Sequence, residues 1–173
     1  KINLLACGRL APVKNYPLML KALAIALEEM PDLHLTLLGD GPERDRLQSL
    51  CTELDIDKHV TFKGFTQDVS RYMHHARCLW LTSLYEGMPT VLIEALSTGC
   101  PILAVDCPNG PAQIIQNNSY GRLVRSYDPG DHAQELVTLL KTPAKTRGFY
   151  QKRIMEFDIH ESARKYLELA KIA

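Results

Sequence analysis

Glu86 and Glu94 bracket the segment with the most chemistry in it, EGMPTVLIE, and stand eight positions apart. On one continuous helix that spacing is about 12 Å along the axis. It is too long for the roughly 5 Å carboxylate pair that cleaves glycosides with retention. Gly87 and Pro89 break such a helix, so the spacing predicts a helix that starts near Pro89, with Glu86 in the loop before it. Glu94 then lies just over one turn into the helix. Helix amides around Thr90 and Val91 can meet a phosphate, while the two carboxylates on either side accept hydrogen bonds from vicinal hydroxyls. A sugar on one side and a ribose on the other would fill that arrangement. The plainer alternative is two solvated glutamates at a helix end.

A second candidate is the run from Gly8 to Asn15, GRLAPVKN, which places a glycine and the cations Arg9 and Lys14 between a strand and a helix that begins near Pro17. The helix N-terminus attracts phosphate through its free N–H groups, and the two cations add charge-assisted contacts to a diphosphate. Two exposed cations that merely solubilise a loop are the alternative. Gly39-Asp40-Gly41-Pro42-Glu43-Arg44 invites comparison with the dinucleotide fingerprint G-x-G-x-x-G, but Arg44 stands where the third glycine belongs. Asp40 has no acidic partner for a bridging metal, so the segment reads as a tight turn with a carboxylate near a helix start. Of the histidines, His74 and His75 are adjacent and diverge on a helix, while His34, His59, His132 and His160 are scattered, without zinc-site spacing. No metal site is expected. Tyr16 and Trp80 read as packing residues, and no ladder of aromatic and basic residues suggests nucleic-acid stacking.

The elements that must hold these loops follow from the hydrophobic pattern. Apolar runs of strand length, Ile2 to Cys7, Leu33 to Leu38, Val60 to Lys63, Cys78 to Thr82, Pro101 to Val105 and Arg122 to Val124, alternate with segments of helical period. Those segments are Pro17 to Met30, Pro42 to Leu54, Gln67 to Ala76, Thr90 to Thr98 and Pro111 to Asn117. The alternation predicts an α/β fold, a Rossmann-like parallel sheet of about six strands flanked by crossover helices. Beyond Pro129 three helices are expected in succession, Asp131 to Leu140, Lys145 to Glu156 and Glu161 to Ile172, packing over the sheet or reaching toward another domain. Asn117 to Ser119 and Thr142 to Lys145 read as loops. Ligands of an open parallel sheet bind outside the carboxyl ends of the strands, where the glutamate segment and the cationic loop both fall.

With 173 residues and 46% hydrophobic composition, the chain suits a single domain spanning residues 1–173. Lys plus Arg (20) equals Asp plus Glu (20), so no global field draws it to nucleic acid or an anionic membrane. Cys7, Cys51, Cys78, Cys100 and Cys107 lie mostly in or beside apolar runs without C-x-x-C spacing, and read as reduced, buried thiols of a cytoplasmic protein. No apolar stretch approaches the roughly 20 residues of a spanning helix. A strand that opens one residue after Lys1 suggests a piece of a longer protein.

Taken together, GRLAPVKNYPLML at Gly8 to Leu20, LLGDGPERDRL at Leu37 to Leu47, VTFKGF at Val60 to Phe65, SLYEGMPTVLIEALSTGCPILA at Ser83 to Ala104, DCPNGPAQII at Asp106 to Ile115 and GRLV at Gly121 to Val124 form a highly specific pattern. The chain resembles, over nearly its whole length, the C-terminal nucleotide-sugar-binding domain of the family 4, or group 1, retaining glycosyltransferases of the GT-B fold. The resemblance implies that Arg9 and Lys14, in the loop opened by Gly8, hold the donor diphosphate and assist its departure. It implies that Glu86 contacts the donor sugar's hydroxyls, that Gly87, Met88 and Pro89 frame the sugar, and that Thr90 and Val91 face phosphate. Glu94 would hold the ribose, with Gly64 and Phe65 beside the base.

The implied reaction keeps the anomeric configuration and needs no cofactor or metal, since protein cations meet the charge of the leaving diphosphate. The implied donor is a UDP-hexose or UDP-N-acetylhexosamine. The implied acceptor is a glycan or lipid-linked glycan of a bacterial surface polysaccharide, bound mainly by an N-terminal domain that has no counterpart here. The fragment is therefore expected to be inactive alone, and the whole protein to work in the cytoplasm or on the cytoplasmic face of the inner membrane. A nucleotide-sugar epimerase of the same architecture and a non-catalytic nucleotide-binding module stand as alternatives.

Overall fold

The computed structural model describes residues 1–170 except 117 and 144. Six strands, β1 (Ile2–Cys7), β2 (Leu33–Leu38), β3 (Val60–Gly64), β4 (Cys78–Leu81), β5 (Ile102–Val105) and β6 (Arg122–Val124), form one sheet in the order β3-β2-β1-β4-β5-β6. Every pairing between them is parallel. The helices are α1 (Tyr16–Glu29), α2 (Arg44–Glu53), α3 (Val69–His75), α4 (Thr90–Thr98), α5 (Pro111–Ile115), α6 (Pro129–Lys141), α7 (Arg147–Met155) and α8 (Ile159–Ala170). The expected elements are all present with ends moved by a few residues. Pro42 does not open α2, because the chain first turns through Gly41 to Glu43 and becomes helical at Arg44. The expected helix ends at Asn117 and Ile172 lie outside the described residues.

Alternation along the central strands divides the core in two. Leu4 and Ala6 of β1, Cys78 and Trp80 of β4 and Leu103 of β5 face α1, α2 and α6. Leu5, Leu79, Leu81, Ile102 and Ala104 face α3, α4, α5 and α7 on the other side. Both faces being covered explains why these strands read as unbroken apolar runs. In the tail, Tyr150 of α7 joins the second core, whereas α8 leaves Tyr166 76% exposed.

Glycine is required where the loop after β1 crosses the loop after β2. Leu10 N–H donates to the Asp40 carbonyl at 2.9 Å, and Glu43 N–H to the Leu10 carbonyl at 3.0 Å. A Cβ on Gly39 would sit 2.1 Å from the Gly8 carbonyl oxygen, and one on Gly41 would sit 2.4 Å from that of Leu10. The turn reading of this segment is thus correct, and its glycines serve contact between two loops as well as the turn itself. Backbone cannot yield as a flexible side chain does, so Gly41→Ala should lower stability by about 2 kcal/mol, the usual cost of overpacking, measured as a lowered urea midpoint.

His132 of α6 is fully buried, with Nε2 3.0 Å from the Ser126 carbonyl and its ring stacked 6.3 Å from Trp80. Burial lowers its pKa from 6.5, outweighing the opposing hydrogen bond and the charges of Asp131 and Asp128. A depressed histidine binds its proton more readily in the unfolded chain, so its contribution is intact above the unfolded pKa of 6.5 and is lost as pH falls toward the folded value. The urea midpoint should therefore fall on acidification from about pH 7 to about pH 5, and His132→Gln should flatten that dependence.

Candidate functional site

Strand order reverses at β1, which lies between β2 and β4. Successive connections therefore leave in opposite directions there and open a crevice at the carboxyl ends of β1 and β4. The cationic loop after β1 and the glutamate loop after β4 meet at this point. Leu84 N–H donates to the Val13 carbonyl at 2.8 Å. The buried Thr82 hydroxyl donates toward the carbonyls of Lys14 (3.0 Å) and Asn15 (3.2 Å). Asn15, at φ 49°, takes the left-handed turn that leads from the single 3-10 turn Pro12–Lys14 into α1.

The two loops bring Lys14 and Glu86 together across 72 residues of sequence. The Lys14 ammonium donates to Glu86 Oε1 at 2.7 Å, the side chains being 23% and 10% exposed. The Ser83 hydroxyl, fully buried, donates to the same oxygen at 2.5 Å. Glu86 N–H reaches the Pro108 carbonyl at 3.3 Å, tying the loop to the segment after β5. Lys14 is thus held by a carboxylate and is not a freely solvated cation of the loop. Burial and the neighbouring Glu86 charge push the Cys107 thiol up, so Cys107 packs beside the pair in its protonated form.

Arg9, from the same loop as Lys14, faces the ends of β1, β2 and β3. With Gly8, Gly39, Asp40, Phe65 and Thr66 it lines an open cleft of about 340 Å3. Arg9 is exposed and forms no ion pair among the described residues. Phe65 stands 80% exposed, and Gly64, at φ 80°, accepts a 2.8 Å hydrogen bond from Gly39 N–H. Asp40 is engaged locally, accepting from Gly41 N–H at 2.8 Å and pairing with Arg44 at 3.6 Å. The Cys7 thiol, in the wall of this cleft, is pushed up to about 12, first by burial and then by the Glu94 and Cys100 charges. Tyr16 is buried and donates its hydroxyl to the Gly8 carbonyl at 3.2 Å.

Glu86 lies outside α4 and Glu94 is its fifth residue, as the glycine and proline predicted. One detail differs. Thr90 N–H donates to the Met88 carbonyl at 2.8 Å and Leu92 N–H to that of Pro89 at 2.9 Å, while Pro89 has no N–H, so the amide left for an anion is that of Val91. Gly87 and Met88 are exposed at the rim, and Pro89 is buried against Gly110, where a Cβ would approach to 2.4 Å.

Residues 1–154 match the family model of the glycosyl transferases group 1. The chain belongs to this family. It is 38% identical over 136 residues to the lipopolysaccharide 1,6-galactosyltransferase of Escherichia coli, covering 69% of this chain and 37% of that protein. It is 31% identical over 170 residues to a Campylobacter jejuni 4-alpha-N-acetylgalactosaminyltransferase acting on a diphospho-undecaprenol glycan, covering 95% of this chain and 46% of that one. The crystal structure of Anabaena HepE in complex with UDP matches with a TM-score of 0.88 at 22% identity, covering all of this chain and 49% of that one. The group 1 chain thus spans less than half the length of each, and has the fold of the C-terminal half of a GT-B glycosyltransferase. No described helix is long and apolar enough to cross a membrane.

Sequence reasoning missed Thr82, Ser83 and Tyr127, whose hydroxyl donates to the Leu84 carbonyl at 3.2 Å. Only Ser83 carried a usable signal, a small hydroxyl at the end of an apolar strand, three positions before Glu86.

Proposed function

We propose that this group 1 domain binds the nucleotide-sugar donor, a UDP-hexose or UDP-N-acetylhexosamine, for a retaining, metal-independent transferase that builds a bacterial surface polysaccharide or lipid-linked glycan. The observation that carries this reading is the Lys14–Glu86 pair at the switch point of the sheet, with Arg9 of the same loop exposed in the neighbouring cleft and without an ion pair among the described residues. A lysine has three N–H donors, so after one goes to Glu86 two remain for a diphosphate. Arg9 adds a planar fork suited to phosphate, and the Val91 amide adds the positive end of α4. Together they offset the charge that develops as the nucleotide departs, the role a divalent ion would otherwise fill. Glu86 accepts from the sugar and Glu94 from the ribose. The names of relatives that act on lipopolysaccharide and on an undecaprenol-linked glycan support the acceptor class. A further domain holds most of the acceptor, and the intact protein meets lipid-linked acceptors peripherally, at the cytoplasmic face.

The test is transfer by the intact protein in excess EDTA, with the product's anomeric configuration read by proton NMR. The reading expects undiminished turnover and retained configuration. Inverted product, or activity restored only by a divalent ion, contradicts it. Glu86→Gln should weaken UDP-sugar binding about tenfold while UDP binding changes little, since the lost bond is one from a hydroxyl to a charged acceptor. Calorimetry with both ligands checks this.

A further inference from the structure

Ser83 holds a place that neither the family resemblance nor the matches assign. It follows β4 directly, is fully buried, and donates its hydroxyl to Glu86 Oε1 at 2.5 Å. Lys14 occupies the same oxygen at 2.7 Å. Glu86 Oε2 makes no hydrogen bond among the described residues, yet is not one of their buried, unpartnered atoms, so it still reaches solvent. The carboxylate therefore has one oxygen held from two directions and one turned outward. The serine is itself fixed, because its carbonyl accepts from the Tyr127 hydroxyl at 3.4 Å, and the adjacent Thr82 is stitched to the loop after β1.

We propose that Ser83 is a positioning residue for the donor sugar: with Lys14 it locks Oε1 of Glu86, so that Oε2 alone is presented to one sugar hydroxyl in a fixed direction. This rests on the reading of Glu86 as the sugar contact. A carboxylate held by one partner can turn about its last bonds and point either oxygen at Lys14, whereas one held by two non-parallel donors cannot. The serine thereby converts a charge into a directed acceptor, and a directed acceptor is what separates one hydroxyl configuration from another.

The test is a double-mutant cycle on the intact protein, with Ser83→Ala, Glu86→Gln and the double variant titrated calorimetrically with UDP, UDP-glucose, UDP-galactose and UDP-N-acetylglucosamine. The UDP-sugar that binds tightest to the parent protein serves as probe. Ser83→Ala should weaken it about tenfold, leave UDP within about twofold, and add nothing in the Glu86→Gln background, because the serine acts only through that carboxylate. Discrimination among the three UDP-sugars should narrow in step. If Glu86→Gln weakens the probe but Ser83→Ala does not, or if the two losses add, the positioning role is wrong while the sugar-contact reading stands. If Glu86→Gln itself leaves the UDP-sugar unchanged, that reading fails and this inference with it. Equal weakening of UDP and UDP-sugar by Ser83→Ala means a general disturbance of the loop and overturns the proposal.

Discussion

Lys14→Ala should lower the kcat of the intact protein by roughly a hundredfold to a thousandfold, the usual cost of removing one preorganised donor aimed at developing charge. Two losses combine. On the proposed reading the departing diphosphate loses a cation, and Glu86, only 10% exposed, is left with Ser83 as its remaining side-chain partner among the described residues. A carboxylate stripped of its counter-charge in a poorly solvated position also repels the phosphates it should sit beside. Lys14→Arg should restore little. The lysine stem passes over Gly8, where even a hypothetical Cβ would come within 3.3 Å of Lys14 Cε, and a planar guanidinium does not place its nitrogens where the compact ammonium sits. Single-turnover and steady-state kinetics check both variants. An alanine variant that retains more than about half of the parental kcat would remove Lys14 from the chemical step.

Arg153→Met should destabilise the fold by about 3 kcal/mol, although the residue lies far along the chain from the site loops. Arg153 of α7 is 6% exposed and donates through Nε to the Ile114 carbonyl at 2.9 Å. It also bonds the Gln113 carbonyl, pairs with Glu156 and lies 4.6 Å over the Phe157 ring. Methionine replaces the packing but leaves the buried Ile114 carbonyl without this donor, at about 1–3 kcal/mol for a buried unpaired acceptor, and removes the charge-assisted bond to the Gln113 carbonyl as well. The other end of α5 begins at Pro111, beside the Gly110 that packs on Pro89, so the donor KM should rise as α5 loosens. Chemical denaturation reads the first effect and donor saturation the second. A variant as stable as the parent would mean that α5 does not depend on this cation.

The fold was legible because its physics is local. Strands such as Cys78–Leu81 and Ile102–Val105 are covered on both faces and so read as apolar runs of the right length, and Pro17, Pro89 and Pro111 marked helix starts within a residue. Glu86 fell in a loop for the same reason, since Gly87 and Pro89 act on their immediate neighbours. Strand order was not written so plainly. That β1 lies between β2 and β4 depends on pairing between segments tens of residues apart, and the meeting of Lys14 with Glu86 depends on that order. The glycines at 39 and 41 show the limit from the other side. Their local turn was visible, but the close approach of the Gly8 and Leu10 carbonyls that forbids a side chain comes from a different loop. Thr90 differed because a short Thr90-to-Met88 hydrogen bond, which no residue type signals, occupies the amide that a simple helix start would leave free.

The most direct measurement is a calorimetric titration of the intact protein with UDP, GDP and ADP in metal-free buffer, repeated on Arg9→Ala and Glu94→Ala. The account predicts that UDP binds in preference to the other two, and that each substitution weakens it by at least about tenfold, one through the diphosphate and the other through the ribose. Equal binding of the three nucleotides, or UDP affinity unchanged in both variants, would contradict a donor site at the crevice between β1 and β4.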